Sequence, residues 1–264
     1  MATVNVTSWD QFVQAVSVSG DTVVLPSKAL WDMNELYPEG VSGDIPINCT
    51  KIIGNETEVR NLHLLGKFIV PAACQFDDLY MKNVVCEGTS FFYNNGNTRD
   101  IQMNGCIMTG LFGVNTQYFV SSGLDANRTT INLDMTAGGS NEVRISDRIS
   151  SQYCRLSAVY PSNAGGTFVL GADYGDVKFC KLSINYLGCR AFDSSPFSGC
   201  VVTGNFGSAY DVNEYGYHGN FVSVYDETAF SSEFTTPNAY FKAVTHAQLY
   251  DAEYLASIGF PIGA

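Results

Sequence analysis

The chain has 264 residues, few charged side chains and many aromatic residues and glycines. Charged residues make up 15%, against the roughly 25% usual in a globular domain, which favours a β-rich protein with many turns. The formal net charge is −12 and Lys and Arg do not cluster, so a nucleic-acid partner is not expected.

The first residues contain neither a basic segment nor an apolar run. We therefore expect no signal peptide, no membrane association and synthesis in a cytoplasm. Disulfides are rare in such a compartment. The eight cysteines include no Cys-x-x-Cys pair, and we interpret them as small buried apolar residues.

The first predicted element is a helix over residues 7–16, where hydroxyl side chains that can cap a helix precede apolar residues at helical spacing. Gly20 and Asp21 end it, and residues 22–26 predict a strand that stops at proline. The helix is expected to cover the first turn of the fold. Residues 28–44 are expected to form an excursion from the first coil.

A six-residue pattern then occurs three times, with 22 residues between equivalent positions: Asn61 to Gly66, Asn83 to Gly88, and Gly105 to Gly110. A fixed period of this size predicts a solenoid. With Leu62 as the reference, seven coils are predicted. Their reference residues form an expected core ladder of Leu62, Val84, Cys106, Leu133, Cys154, Cys180 and Cys200.

Three further columns follow from this alignment. Apolar residues two places after the reference predict strands with one buried face; they are Leu64, Cys86, Met108, Met135, Leu156, Leu182 and Val202. The residues one place before, mostly Asn or Gly, predict a left-handed bend; they are Asn61, Asn83, Gly105, Asn132, Tyr153, Phe179 and Gly199. The residues four places after, mostly small, predict an exit turn; they are Gly66, Gly88, Gly110, Ala137, Ala158, Ile184 and Gly204.

These columns predict an all-β fold, a parallel β-helix of about seven to eight coils. A β-sandwich or jelly roll is the alternative, since its strands are also evenly spaced, but it has no reason to repeat whole coils. Residues 1–205 are predicted to be the β-helix with its helical cap. Residues 206–264 are predicted to be a C-terminal capping or docking segment.

The chain resembles the right-handed parallel β-helix proteins of the pectate-lyase-like group. The resemblance covers residues 7 to 204 and rests on the order of the helix, residues 20–26, residues 52–59 and the Asn-x-x-x-x-Gly coils. It implies a right-handed, single-stranded β-helix. The group includes polysaccharide lyases and hydrolases, phage tailspikes and other virion proteins, and surface adhesins, so the resemblance implies fold far more than activity.

Aromatic residues are crowded between residues 206 and 234. We interpret them as a cap over the open end of the solenoid, with an oligomer interface or a sugar-stacking surface as alternatives. The candidate binding residues are Tyr210, Tyr215, Tyr217, His218, Phe221, Tyr225, Phe230 and Phe234. Beyond them, Thr245 and Gln248 predict a capping box for a helix over 246–257 that stops at Gly259, followed by an apolar docking tail at 260–263.

A glycosidase of this class needs carboxylates on either side of the scissile bond, one of them protonated. Asp77 and Asp78 are the adjacent acidic pair on a coil and would be the catalytic residues of an enzyme; their other interpretation is a solvated turn. Three further aspartates could form an acidic rim, but their spacing makes no calcium ligand set: Asp173, Asp176 and Asp193. No nucleotide, zinc or Ser-His-Asp motif is present, so no metal and no cofactor are predicted.

Together these features predict a noncatalytic structural or attachment protein of a bacteriophage particle, of the decoration, head-fibre or adaptor type. It would be made in the host cytoplasm and located in the virion. Its expected partners are other virion proteins, further copies of itself and cell-surface carbohydrate. A polysaccharide lyase or glycoside hydrolase is the alternative, and a carbohydrate-binding adhesin is the third hypothesis.

Overall fold

The computed structural model describes residues 2–94, 101–112, 118–134, 136, 144–159, 177–190, 197–208, 221–228 and 241–262. In chain order the first elements are β1 (Thr3–Asn5), α1 (Trp9–Val16), β2 (Thr22–Val24), β3 (Leu30–Asp32), α2 (Met33–Leu36), β4 (Ile45–Pro46), β5 (Lys51–Ile53), β6 (Glu58–Arg60), β7 (His63–Leu64), β8 (Phe68–Ile69), β9 (Gln75–Asp77), β10 (Tyr80–Cys86), β11 (Ser90–Tyr93) and β12 (Ile101–Asn104). They are followed by β13 (Ile107–Phe112), β14 (Tyr118–Asn127), β15 (Thr130–Asp134), β16 (Arg144–Gln152), β17 (Arg155–Val159), β18 (Val177–Lys178), β19 (Lys181–Arg190), β20 (Phe197–Ser198), β21 (Val201–Ser208), β22 (Ser223–Asp226), β23 (Phe241–Val244), a 3-10 helix (Gln248–Tyr250) and α3 (Ala252–Ser257).

The strands stack in parallel in two sheets, as the repeat pattern predicted. Sheet A contains β1, β2, β5, β9, β12, β14, β16, β18 and β20, and β14 also joins β11, β8 and β4 to it. Sheet B contains β3, β6, β10, β13, β15, β17, β19, β21, β22 and β23, with β7 paired to β10. Successive coils contribute successive strands to each sheet, so the all-β parallel β-helix is confirmed.

Side chains alternate between the interior and the surface along each strand. On sheet A the inward positions of adjacent coils carry Val23, Ile52, Phe76 and Met103, which are fully buried and in register. The rings of Phe76 and Phe92 meet inside with centroids 5.3 Å apart. Burying one such side chain contributes about 1.5–3 kcal/mol, so the stacked interior stabilises every coil against its neighbours.

At one edge, which we call the A–B corner, the chain passes from sheet A to sheet B through a left-handed residue in each coil. The corner residues are Lys28, Glu56, Asp78, Gly105, Arg128, Tyr153, Phe179 and Gly199, with φ between 48° and 66°. Their backbone N–H groups bond to the next coil, as from Arg128 to the carbonyl of Gln152 at 3.0 Å. The corner therefore repeats without breaking the stack.

Directly inside the corner is a column of buried side chains, all of which except Leu79 are small and carry a thiol or a hydroxyl: Thr57, Leu79, Cys106, Thr129, Cys154, Cys180, Cys200 and Ser223. Several donate to the carbonyl two residues earlier, as Thr129 does to Asn127 at 3.0 Å. Some also accept a backbone N–H from the preceding coil, as Ser223 does from Cys200 at 3.0 Å. The seven cysteines whose side chains are described are free and buried, as predicted.

The predicted core ladder is buried but is not one ladder. Its four cysteines lie in the column inside the A–B corner, whereas Leu62, Val84 and Leu133 lie in a second column. Met108 pairs with Met81 rather than with Cys86. The single register is therefore wrong, because the third copy of the six-residue pattern bends at a different place in its coil from the first two.

The first two copies bend at Asn61 and Asn83, both left-handed as predicted. The amide of Asn83 donates to the Asn61 side chain at 2.6 Å, forming a short asparagine ladder. The predicted bend at Asn132 is wrong, since Asn132 lies within β15 and the chain bends at Arg128 instead. The predicted turn at Gly110 is also wrong, because β13 continues to Phe112.

Both ends of the chain fold back on the solenoid. Helix α1 begins after Ser8, which caps it, and its buried Trp9 and Phe12 pack against Trp31 with ring centroids 6.4 and 6.2 Å apart. The predicted excursion at 28–44 is shorter than expected, since β3 already belongs to sheet B. After residue 205, β22 and β23 extend sheet B.

The predicted C-terminal helix is divided in two. Asp251 adopts an extended conformation after the 3-10 helix, and its carboxylate accepts the backbone N–H of Tyr254 at 2.9 Å to cap α3. The capping box is present, with the Thr245 N–H bonded to Gln248 Oε1 at 2.9 Å. Leu249 and Leu255 turn their apolar faces toward Val224 and Val244.

Candidate functional site

Asp77 and Asp78, which would be the catalytic residues if the chain were an enzyme, lie in different surroundings. Asp77 ends β9 and is largely covered: its carboxylate contacts Lys51 Nζ at 2.5 Å, Gln75 Nε2 at 2.8 Å and Asn104 Nδ2 at 2.9 Å. Asp78 is the next corner residue and is exposed at φ +48°. The structure therefore places Asp77 within a polar network and Asp78 in a solvated bend.

Opposing effects determine the pKa of Asp77. Burial raises the pKa, but the Lys51 ammonium and the hydrogen bonds from Asn104 and Gln75 outweigh burial and hold the pKa below its ordinary value. A general acid in glycoside hydrolysis needs the opposite shift, since it must be protonated near neutral pH. This carboxylate is therefore arranged as a permanent anion.

Most of the predicted aromatic binding residues lie outside the described part of the chain: Tyr210, Tyr215, Tyr217, His218, Phe230 and Phe234. Phe221 is exposed, as a binding residue would be. Tyr225 is not, because it lies in β22 and its ring packs on Phe241 with centroids 4.5 Å apart. Tyr225 is therefore a core residue, and burial raises the pKa of its hydroxyl.

The charge of the side chains at the A–B corner changes along the solenoid, as does the charge one place before the corner and two places after it. In the first coils the side chains are largely acidic, with Glu56, Glu58, Asp77 and Asp78 on neighbouring coils. From the coil of Arg128 onward the charged residues at these positions are basic, and aromatic residues lie beside them. We call this second region the corner patch and define it as Arg128, Tyr153, Arg155, Phe179, Lys181 and Phe221.

The three cations of the corner patch are exposed and unpaired within the described residues. Arg155 and Lys181 are in-register neighbours on β17 and β19, and adjacent parallel strands are about 4.8 Å apart. Neither they nor Arg128 form a side-chain hydrogen bond or ion pair with the described chain. By contrast, Lys51 and Lys82 contact carboxylates at 2.5 and 2.6 Å.

The rings of the corner patch lie against each other. Tyr153 stacks on Phe179 with centroids 5.3 Å apart and planes 16° apart, and Phe179 meets Phe221 at the same distance with a tilt of 54°. Tyr153 and Phe221 remain 45% and 43% exposed. Because the backbone of each coil is bonded to the next, the residues that carry these rings and cations keep a fixed spacing along the solenoid. The patch is suited to binding an anionic partner with apolar surface.

A repeated triplet in the sequence indicates this patch, although the repeat alignment used its residues only to predict bends and core positions. Tyr153-Cys154-Arg155 returns as Phe179-Cys180-Lys181, an aromatic residue, a buried thiol and a cation. In a corner that points the central residue inward, the flanking aromatic and cation must both face outward. Predicting the patch therefore requires knowing that these residues lie at a corner, and only the register of the strands shows this.

A second pair that the sequence did not bring together joins β22 to the capping box. Nδ1 of His246 lies 3.0 Å from the carboxylate of Asp226, which also accepts the backbone N–H and hydroxyl of Thr228 at 3.0 and 2.7 Å. Although burial opposes it, the hydrogen bonds from Thr228 and His246 lower the pKa of Asp226. The pair links the start of the capping box to β22 at the surface.

No family model, curated protein or solved structure matches the chain. Within the described residues, no helix is long and apolar enough to cross a bilayer. The same residues contain no group of three or more His, Cys, Asp or Glu side chains arranged to hold a metal ion.

Proposed function

We propose that this chain is a noncatalytic attachment protein of a bacteriophage particle, and that it attaches through the corner patch to an acidic glycan on a cell surface. The supporting observation is the concentration of cations without an ion-pair partner among the described residues, beside exposed aromatic rings, in a chain whose net charge is −12. An acidic protein gains little solubility from such a cluster, so the cluster favours a binding role.

The spacing of the cations favours a partner with repeated negative charge. Arg155 and Lys181 face outward from neighbouring coils, so they repel each other until an anion lies between them. Tyr153 offers an open ring beside them, and the planar guanidinium of Arg155 binds carboxylates with two parallel hydrogen bonds. A chain of acidic sugars supplies both carboxylates and apolar ring faces.

The noncatalytic part of the proposal is supported by Asp77, one of the two carboxylates that the alternative enzyme hypothesis would need. Asp77 is paired with Lys51 and has a lowered pKa, which suits structural stabilisation rather than proton donation. The polysaccharide lyase or hydrolase alternative would need a different acid.

The bacteriophage part of the proposal is supported by the parallel β-helix and by the resemblance described in the sequence. It is tested by mass spectrometry of intact particles purified from a culture that produces the chain. Peptides should remain with the particles through a density gradient. Their loss to the soluble fraction would contradict a virion location and leave the carbohydrate-binding adhesin as the better hypothesis.

Affinity electrophoresis in gels containing polygalacturonate tests the attachment surface, with dextran gels as the neutral reference. The wild type should be retarded by the acidic polymer, and Arg155→Gln/Lys181→Gln should lose most of that retardation. Arg60→Gln/Lys28→Gln is the matched control, since it also removes one Arg and one Lys, both of which pair with carboxylates away from the patch. This control should migrate as the wild type does.

Several outcomes would contradict the proposal. Equal loss of retardation in both double variants would mean that charge alone, rather than the corner patch, governs binding. Retardation by single-stranded DNA as strong as by polygalacturonate would favour a nucleic-acid partner. Release of reducing ends or unsaturated sugars from the polymer, abolished by Asp77→Asn, would restore the enzyme hypothesis.

A further inference from the structure

A cavity of about 290 Å³ lies between the C-terminal segment and the outer wall of the solenoid. Its floor includes Phe179, Lys181 and Val201, and its cover includes Leu255 and Phe260. This volume is near the lower limit of the roughly 300–1,000 Å³ of small-molecule sites, which are mostly apolar with a few placed polar groups. The cavity therefore has the size and lining of a site for a small ligand.

The cover is held in place at both ends. The capping box of Thr245 and Gln248 fixes its start. Its other end is a Schellman turn at Gly259 (φ +86°), in which the Phe260 N–H bonds to the Leu255 carbonyl at 2.9 Å. This turn directs Phe260 back toward Leu255, so the cavity does not depend on a ligand to form.

One glycine lets the tail pack closely against the wall beside the cavity. Gly199 is a corner residue with φ +66°, and a Cβ there would lie 2.7 Å from the Phe179 ring and 2.9 Å from Pro261 Cγ. The missing side chain lets Pro261 and the Phe179 ring approach the corner closely. Ile262 follows at the rim and is 51% exposed.

The charge of the cavity is set by Lys181, the sole charged residue among the described residues that line it. Its ammonium is exposed and forms no ion pair with the described chain, whereas the walls at Leu249, Leu255 and Phe260 are apolar. We infer that the cavity binds a small amphipathic anion, such as a medium-chain carboxylate, whose chain packs between the cover and Val201 and whose carboxylate meets Lys181.

Isothermal titration calorimetry with octanoate and with octanol tests this site on the full-length protein. Octanoate should bind saturably at one site per chain, and octanol should bind several-fold more weakly because it has no charge for Lys181. Lys181→Gln should weaken octanoate binding roughly 1.5- to fivefold, the range expected for an exposed ion pair, and leave octanol binding unchanged.

The second variant is designed to fill the cavity with a large side chain. Ala252 lies in the lining on α3, so Ala252→Trp should abolish octanoate binding. Ala256→Trp changes an exposed alanine of the same helix outside the lining, and octanoate should bind it within twofold of wild type. Circular dichroism before titration establishes that each variant is folded.

Failure of octanoate to bind, equal binding of octanol, or equal loss in the two tryptophan variants would each overturn the inference. None of these results bears on the attachment proposal, which is measured with a polymer too large for the cavity. Conversely, loss of polygalacturonate retardation would leave the octanoate site intact unless Lys181 is replaced. Because Lys181 belongs to both sites, Arg155→Gln alone separates the two proposals: it should weaken retardation by polygalacturonate and leave octanoate binding within twofold of wild type, since Arg155 does not line the cavity.

Discussion

The replacement of Gly199 by alanine tests how the C-terminal tail is seated on the corner. An L-residue at φ +66° costs about 1–2 kcal/mol relative to the right-handed region. The added Cβ also lies 2.7 Å from Phe179 and 2.9 Å from Pro261, and overpacking of this kind costs about 1–3 kcal/mol. Gly199→Ala should therefore lower the free energy of unfolding by about 2–5 kcal/mol.

A matched glycine separates the two contributions. Gly20 has φ +85° and no heavy atom within 4 Å of the position that a Cβ would take, so Gly20→Ala should cost only the backbone part, about 1–2 kcal/mol. Urea unfolding followed by far-ultraviolet circular dichroism measures both. Pro261→Ala should recover part of the Gly199→Ala loss in a double-mutant cycle. Equal destabilisation by the two glycine variants would refute the close approach of the tail.

Three further predictions concern the corner, the network around Asp77 and the asparagine ladder. Cys106→Thr should unfold at a higher urea concentration than Cys106→Val, with about 1 kcal/mol between them, because the hydroxyl still donates to the corner carbonyls as Thr129 does; equal stability would contradict that role. Asp77→Asn should cost about 1 kcal/mol at pH 7. Since the folded pKa lies below the unfolded one, this difference should fade as pH falls below about 4, and a difference that persists in acid would disprove the ionic origin. Asn83→Gly should be tolerated within about 1 kcal/mol, whereas Asn83→Val should cost more than about 2 kcal/mol by denaturant unfolding, since φ is +54° and the bond to Asn61 is lost; similar costs would remove the left-handed explanation.

The fold could be predicted because its cause is periodic and local. Asn61 and Asn83 bend the chain in successive coils, and the alternating apolar residues that follow them identify the buried face. The register could not be extended to Cys106, because its coil is longer and bends at Gly105, in the other corner. A residue pattern predicts that the chain bends at a position. Which bends of different coils lie in the same column depends on how whole coils stack.

The candidate site was less predictable for the same reason. Tyr153 and Arg155 are separated by a buried cysteine, and only an inward-pointing corner places both on the surface beside Phe179 and Lys181. The sequence instead predicts binding residues among the crowded aromatics of residues 206–234, but one of them, Tyr225, packs in the interior. Aromatic density in a sequence does not distinguish a stacked core from an exposed surface.

The buried thiols can be used to detect local opening of individual coils, because a buried thiol reacts only when its coil opens. Successive regions of the solenoid hold Cys49, Cys74, Cys106, Cys154 and Cys200, none of them oxidised. Burial raises the pKa of the Cys106 thiol to about 12, so alkylation requires the coil to open. Timed labelling followed by peptide mapping would therefore read out, coil by coil, whether the rod melts from its tryptophan-packed start, from its tail-covered end, or as one unit.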